Sequence, residues 1–186
     1  LSGNPKIRIT EIRQEEAQHG RLLAEMRSGK YDIVHYAGHA FFDPVNRSRS
    51  GLICSDNRVL SGADLAGIGQ LPTLMVFNAC EAGRIRGAAP GHADKHTPQS
   101  GVERVLRNVS LSEAFLRGGV ANYIGTYWPV GDNPAAEFAD SFYSKLLAGA
   151  TLGEAITAGR HAIHKIDSKD WADYMHYGNV SFSLKD

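Results

Sequence analysis

Apolar runs and helical periodicities alternate along the chain. Thr73–Phe77 holds five apolar or β-branched residues in a row, which predicts a strand buried on both faces at the centre of a parallel sheet. Tyr31–Ala37 predicts a second strand of the same kind. Apolar residues recur with helical spacing over residues 11–28, 134–146 and 151–166. Strands that alternate with helices predict an α/β fold around a mostly parallel sheet.

Shorter patterns predict the remaining strands. Lys6–Thr10 and Asn179–Leu184 alternate polar and apolar residues, which is typical of strands with one buried face. Val120–Thr126 predicts a further strand. Gly51–Leu60 predicts a hairpin that turns at Ser55–Asn57.

Helix starts are marked by capping residues. Ser110–Glu113 and Thr151–Glu154 have the spacing of capping boxes, and Ser61 is expected to cap a short helix. Asp132 or Asn133 is expected to cap the helix that follows the Val120–Thr126 strand.

Length and composition indicate one globular domain over residues 1–186. Twenty basic residues balance twenty acidic residues, so no net field favours nucleic acid or an anionic membrane. Two cysteines, Cys54 and Cys80, fit a reducing compartment, and the cytoplasm is the expected location. The chain shows neither a membrane-length apolar run nor a signal peptide. It starts abruptly at Leu1, so we expect it to be part of a longer protein.

A change of composition marks residues 84–107. This stretch is rich in arginine and contains three glycines, two prolines, His92 and His96. A loop of this length in a compact domain is usually functional or disordered, and we expect a flexible insert. Two histidines without companion thiols are weak grounds for a metal site, so a solvated loop is the favoured interpretation.

Candidate chemistry lies at two strand ends. Cys80 follows the Thr73–Phe77 run, and His39 follows the Tyr31–Ala37 run. If the two strands are parallel neighbours, the thiol and the imidazole meet at one rim of the sheet, as a cysteine nucleophile and its base require. Backbone N–H groups of Cys80 and of Ala40 or Gly38 are the expected donors to an oxyanion. The competing interpretation is that Cys80 is a buried small hydrophobe, as most free cysteines are.

Two other residues are alternatives to this pair. His35 lies within the apolar run, roughly 13 Å from His39 along a strand, and is expected to be a hydrogen-bonded core histidine. Cys54 lies in the predicted hairpin and is given only a packing role. The chain lacks the sequence signatures of serine hydrolases, nucleotide-binding loops and zinc peptidases. No metal or cofactor is therefore expected.

Several motifs, in order, resemble the CHAT family of caspase-like domains, which belongs to the cysteine peptidase clan of caspases and separases. The resemblance covers most of the chain from Tyr31 to Gly178. Its motifs are the stretches 34–40, 76–83, 115–121 and 125–130 with Asp132, the aromatic helix around Phe138 and Phe142, and Tyr177-Gly178. The resemblance implies a caspase-like three-layer α/β/α sandwich, a His39–Cys80 dyad and peptide-bond hydrolysis through an acyl-enzyme.

The chain also departs from the pattern of that clan. Ala40 stands where family members often have glycine, and the glycine of the caspase signature falls one position later, at Gly83. Cleavage after aspartate is therefore not implied. By resemblance to separases, Asp132 is a candidate to receive a basic substrate side chain, and Glu81 is a second candidate. The opening strand and helix of a full caspase-like sheet are expected to be missing or abbreviated at Leu1.

Three functional hypotheses follow. The first is a cysteine endopeptidase acting on a protein substrate in bacterial regulation or defence, switched on by a sensor or a repeat-containing module, with residues 84–107 gating the site or being cut. The second is a non-catalytic caspase-like scaffold for protein interaction, which has no chemical need for both His39 and Cys80. The third is a thiol hydrolase of small esters or amides.

Overall fold

A six-stranded mixed sheet forms the centre of the molecule. The computed structural model describes residues 7–41, 43, 45–80, 112–126 and 130–184, without the side chains of residues 47, 79 and 80. The strands are β1 (Ile33–Phe41), β2 (Gly51–Ile53), β3 (Val59–Ser61), β4 (Leu74–Cys80), β5 (Asn122–Thr126) and β6 (Tyr174–Tyr177). Their order across the sheet is β3-β2-β1-β4-β5-β6.

The predicted parallel centre is confirmed. Strands β1 and β4 run parallel in register from Ile33↔Leu74 to His39↔Cys80, and β4 and β5 run parallel from Leu74↔Asn122 onward. The outer strands β2, β3 and β6 are antiparallel to their neighbours. Parallel strands with crossover helices are normally covered on both faces, and here they are.

Helices cover the two faces of the sheet. They are α1 (His19–Arg27), α2 (Gly62–Leu65), α3 (112–118), α4 (Asp132–Leu147) and α5 (Leu152–Lys165). Helices α4 and α5 pack on one face through a cluster that includes Phe138, Phe142 and Ile163. Helices α1 and α3 pack on the other face through Met26 and Phe115. The architecture is the α/β/α sandwich expected from the sequence.

Strand β4 is buried on both faces, as its apolar run predicts. Leu74 and Val76 belong to the cluster under α4 and α5, whereas Met75 and Phe77 belong to the cluster under α1 and α3. All four are at most 2% exposed. This alternation follows from the two-residue period of a strand.

Local turn and capping chemistry is largely as predicted. Ser61 and Asp64 form a capping box at α2, and Thr151 and Glu154 form one at α5. The hairpin of β2 and β3 turns through residues 55–57, where Asn57 has a φ of 60°. The predicted box at Ser110 lies outside the described residues.

Two predicted strands and one helix start are wrong. Residues 7–10 form no strand, and α1 begins only at His19, after a short 3-10 turn. Residues 179–184 form no strand either. The carbonyls of Val180 and Phe182 accept from the first amides of α5, at Gly153 and Leu152. The last strand is instead β6, which begins five residues before the predicted strand.

In the part of the chain that the structure describes, the edge of β1 that faces away from β4 has no strand partner over most of its length, and we call it the open edge. Strand β2 pairs with it only at Ala40 and Phe41. Residues 33–39 and residues 7–14 both line a cavity of about 1320 Å³. Among the described residues, no helix has the length and apolarity needed to cross a membrane.

Candidate active site

The structure places His39 and Cys80 side by side at one rim of the sheet. They are register partners at the carboxyl ends of β1 and β4. Adjacent strands lie about 4.8 Å apart, so the two backbones are neighbours there. Ligands in open α/β sheets bind at this kind of rim, outside the carboxyl ends of parallel strands. The strand arrangement that a cysteine–histidine pair requires is therefore present.

The backbone of His39 is held by the hydroxyl of Tyr36. The Leu74 N–H donates to the Asp32 carbonyl over 3.1 Å, so the odd-numbered residues of β1 direct their peptide groups away from β4. On that edge the His39 N–H donates to the Tyr36 hydroxyl oxygen at 3.0 Å, and the hydroxyl lies 2.8 Å from the His39 carbonyl. The Ile53 carbonyl of β2 lies 3.1 Å from the same hydroxyl.

Gly38 leaves room for this contact. A Cβ at position 38 would lie 2.5 Å from the Tyr36 hydroxyl oxygen and 2.7 Å from the ring carbon that carries it. Real Cβ atoms do not approach other atoms so closely, so the ring must move if residue 38 carries a side chain. Glycine at this position is therefore explained by the folded-back Tyr36 ring.

His35 lies farther down the same strand and has its own partners. Its Nδ1 is 2.9 Å from the Tyr143 hydroxyl, and its Nε2 is 3.5 Å from the Asn78 amide nitrogen. The residue is exposed, so the prediction of a core position is wrong, whereas the prediction of a hydrogen-bonded histidine is confirmed. Although the residue is exposed, desolvation by the surrounding protein lowers the pKa of its imidazole.

Polar groups without partners lie close to the rim. Asn78 precedes Cys80 by two residues, and its buried side-chain oxygen has no hydrogen-bond partner among the described residues. Tyr174 is 0% exposed, and its hydroxyl also has no hydrogen-bond partner in the described part of the chain. Burial raises the pKa of that hydroxyl, and the nearby Asn78 side chain partly opposes the rise, so the two groups are near each other without a well-formed bond. Burial and the neighbouring carboxylate of Asp170 raise the pKa of Asp173 to about 6.

Asp132 lies at the start of α4, but it does not cap the helix. The N-cap is Gly131, whose carbonyl accepts from the Ala135 N–H at 3.0 Å, and no side chain caps this end. Asp132 is already in the first helical turn and is exposed, so the predicted capping role is wrong. The carboxylate of Asp170 instead accepts from the Gly131 N–H at 3.3 Å. Glu81 lies outside the described residues.

The other cysteine is unsuited to nucleophilic chemistry. Cys54 is 3% exposed and packs in the cluster under α1 and α3. Burial raises the pKa of its thiol to about 11, and the Asp56 carboxylate adds to the effect. A thiol with such a pKa is protonated at neutral pH, so Cys54 has the packing role predicted for it.

The part of the chain that the structure describes contains no group of three or more side chains able to hold a metal ion. His92, His96 and the rest of the 84–107 stretch lie outside the described residues. The prediction of a loop without a metal site therefore stays a prediction.

Tyr36, Asn78 and Asp173 are residues of this rim that the sequence patterns do not single out. In the sequence Tyr36 looks like an ordinary apolar strand residue. Its hydroxyl contacts His39 only because the ring folds back over Gly38 in the folded protein. Asn78 carries a weak signal, since an amide directly after an apolar run is unusual. Asp173 lies between a 3-10 turn and β6, and nothing local distinguishes it.

The three-layer fold, with histidine and cysteine in register at its rim, defines a caspase-like α/β sandwich. The family profile of the CHAT domain matches residues 5–179, and the chain therefore belongs to the CHAT family, a family related to caspase-like proteases. No curated protein matches the chain significantly.

Proposed function

We propose that this domain is a cysteine endopeptidase that hydrolyses peptide bonds of a protein substrate. The observation that carries the proposal is the register pairing of His39 with Cys80 at the carboxyl ends of the two central parallel strands. Membership of the CHAT family supports it. The other cysteine and the other histidine of β1 both have different roles, Cys54 in the core and His35 on Tyr143.

The proposed reaction uses the two side chains in turn. His39 accepts the proton of the Cys80 thiol, and the thiolate sulfur attacks the carbonyl carbon of the scissile bond. The tetrahedral intermediate collapses when the His39 imidazolium protonates the leaving amine, which breaks the C–N bond and leaves an acyl-enzyme. Water, deprotonated by His39, then attacks the thioester, and the carboxylic acid product leaves as the thiol is restored.

Backbone amides are proposed to stabilise the oxyanion, with Gly38, Ala40 and Cys80 as the candidates. The even-numbered amides of β1, including those of Gly38 and Ala40, point toward β4, and the Cys80 N–H points toward β1. Ala40 and Cys80 lie at the end of this ladder, next to the proposed reacting atoms, so their N–H groups need to break only the last pairing to reach an oxyanion.

Substrate selection is proposed to involve acids at the rim. Asp132 begins α4, which follows the carboxyl end of β5, and its exposed carboxylate has no capping duty that would compete with a basic substrate group. Glu81, directly after Cys80, is the second proposed acid. We further propose a cytoplasmic enzyme of bacterial regulation or defence that a sensor or a repeat-containing module activates.

A peptide-library digest tests the proposal. We expect Cys80→Ala to reduce cleavage to background, because the nucleophile is gone. His39→Ala should lower the rate by roughly 10²–10⁴-fold, the usual contribution of a general base. Mass spectrometry of the products also reports which residue precedes each cleaved bond.

The chain offers a matched control for each variant. Cys54→Ala removes the other thiol and His35→Ala removes the other histidine of β1, and both should keep the wild-type cleavage pattern. Cleavage that survives Cys80→Ala would rule out the proposed mechanism. If the wild type, with candidate activators added, cuts nothing, the non-catalytic scaffold becomes the better explanation of the fold.

A further inference from the structure

The peptide group of His39 lies at a break in the hydrogen bonding of the sheet. Its N–H and C=O point away from β4, and β2 begins to pair with β1 only at Ala40. The Ala40 peptide group points toward β4, so the pairing at Ala40↔Leu52 brings the Ile53 N–H to the His39 carbonyl. Without another partner, the His39 N–H would face the open edge of β1. An unpaired strand end of this kind frays easily, and the imidazole that it carries would move with it.

A single side chain fills that break. The Tyr36 hydroxyl accepts from the His39 N–H at 3.0 Å and lies 2.8 Å from the His39 carbonyl. A hydroxyl has one proton to donate, so it serves either the His39 carbonyl or, at 3.1 Å, the Ile53 carbonyl of β2. In both cases the hydroxyl provides the His39 N–H with the acceptor that β2 does not supply.

The ring that carries the hydroxyl is itself fixed. It stacks on Phe77 of β4, with ring centroids 5.0 Å apart and planes inclined by 28°. The absence of a side chain at Gly38 lets the ring fold back along its own strand. Burial raises the pKa of Tyr36 to about 12, so the hydroxyl keeps its proton at physiological pH.

We propose that Tyr36 is a positioning residue that fixes the backbone of His39 and thereby the direction of its imidazole at the rim. The inference rests on the proposed role of His39 as general base. Tyr36 and His39 are separated by three positions, so their side chains lie on opposite faces of β1 and the effect passes through the main chain. Tyr36 therefore touches neither the substrate nor the reacting atoms.

Tyr36→Phe tests the proposal because it keeps the stacked ring and removes only the hydroxyl. We expect kcat to fall roughly 10- to 100-fold with KM within about twofold, since a small displacement of a catalytic group has effects of this size. In amide hydrogen exchange followed by NMR, the His39 N–H should exchange at least about tenfold faster than in the wild type.

Tyr123→Phe is the matched control. Tyr123 also precedes a glycine by two positions on a central strand, and its ring also lies against Phe77, at 6.0 Å, but its hydroxyl makes no bond to β1. We expect this variant to leave His39 exchange and the kcat of the proposed reaction unchanged.

The two readouts separate the failure of this inference from that of the proposed function. Unchanged His39 exchange in Tyr36→Phe would overturn the inference whether or not the protein is a peptidase. A fall in kcat no larger than that of Tyr123→Phe would also overturn it. Faster exchange at His39 together with a loss confined to kcat supports it.

Discussion

Toward β4, strand β1 forms a register of seven residue pairs, whereas toward its other edge it pairs with β2 at two residues only. On the inner side, β1 pairs with β4, whose residues 74–77 are at most 2% exposed. The outer side lines a cavity of about 1320 Å³ that residues 7–14 also line. One strand thus joins the buried centre of the sheet to an edge that is only partly paired, and His39 lies where the two meet. This contrast explains why a side-chain hydroxyl is needed to hold the end of the strand.

The largest expected effect is on the inner side. Phe77→Ala removes a ring that contacts Tyr36, Phe115 and Tyr123, with centroids between 5.0 and 6.0 Å apart. We expect a loss of about 3–5 kcal/mol in the free energy of unfolding, measured by urea titration. Ile9→Ala is the counterpart in the lining of the cavity. Because Ile9 is 50% exposed, its change should stay within about 0.5 kcal/mol. Similar losses of unfolding free energy in both variants would show that the inner and outer sides of β1 contribute equally to stability.

An intermediate effect is expected where the outer edge is paired. A Cβ on Gly51 of β2 would collide with the Leu60 carbonyl of β3, so Gly51→Ala should cost about 1–3 kcal/mol of unfolding free energy through strain. Gly69→Ala is the matched control, since nothing lies within 4 Å of a Cβ there. We expect the control to be neutral or slightly stabilising in thermal unfolding. If Gly51→Ala leaves the free energy of unfolding unchanged, the β2–β3 hairpin adapts to the extra methyl group and contributes little to stability.

The test with the smallest expected effect uses the wild-type protein and measures hydrogen exchange of the β1 amides. Val34, Tyr36 and Gly38 direct their N–H groups into the ladder with β4 and should exchange slowly. The N–H groups of His35 and Ala37 point to the open edge and have no backbone partner among the described residues, so they should exchange fast. Uniform protection along β1 would contradict an open outer edge.

Sequence patterns predict the inner side well and the outer side poorly. The Thr73–Phe77 run predicts β4 because a strand buried on both faces needs apolar residues at every position. Residues 7–10 alternate as a strand should, yet they pair with none of the described strands. Alternation of polar and apolar residues thus shows that a segment is compatible with a strand. Whether a strand forms depends on a pairing partner, which only the tertiary structure provides.

The candidate site shows the same limit. His39 and Cys80 are predictable because each follows an apolar run that ends at the same rim of a parallel sheet. The capping role predicted for Asp132 fails because the helix begins one residue earlier, with Gly131 as its cap. Tyr36 is not predictable at all, since its contact with His39 depends on how one ring folds within its strand.

The path of residues 179–184 has a practical consequence for anyone who shortens this protein. The match to the CHAT family ends at residue 179, which makes that position an obvious place to trim. The carbonyls of Val180 and Phe182, however, satisfy the first two amides of α5, and the Phe182 side chain packs on the core cluster under α4 and α5. A fragment trimmed at residue 179 would leave those amides without their backbone acceptors and uncover part of the core. An affinity tag is better placed after residue 184.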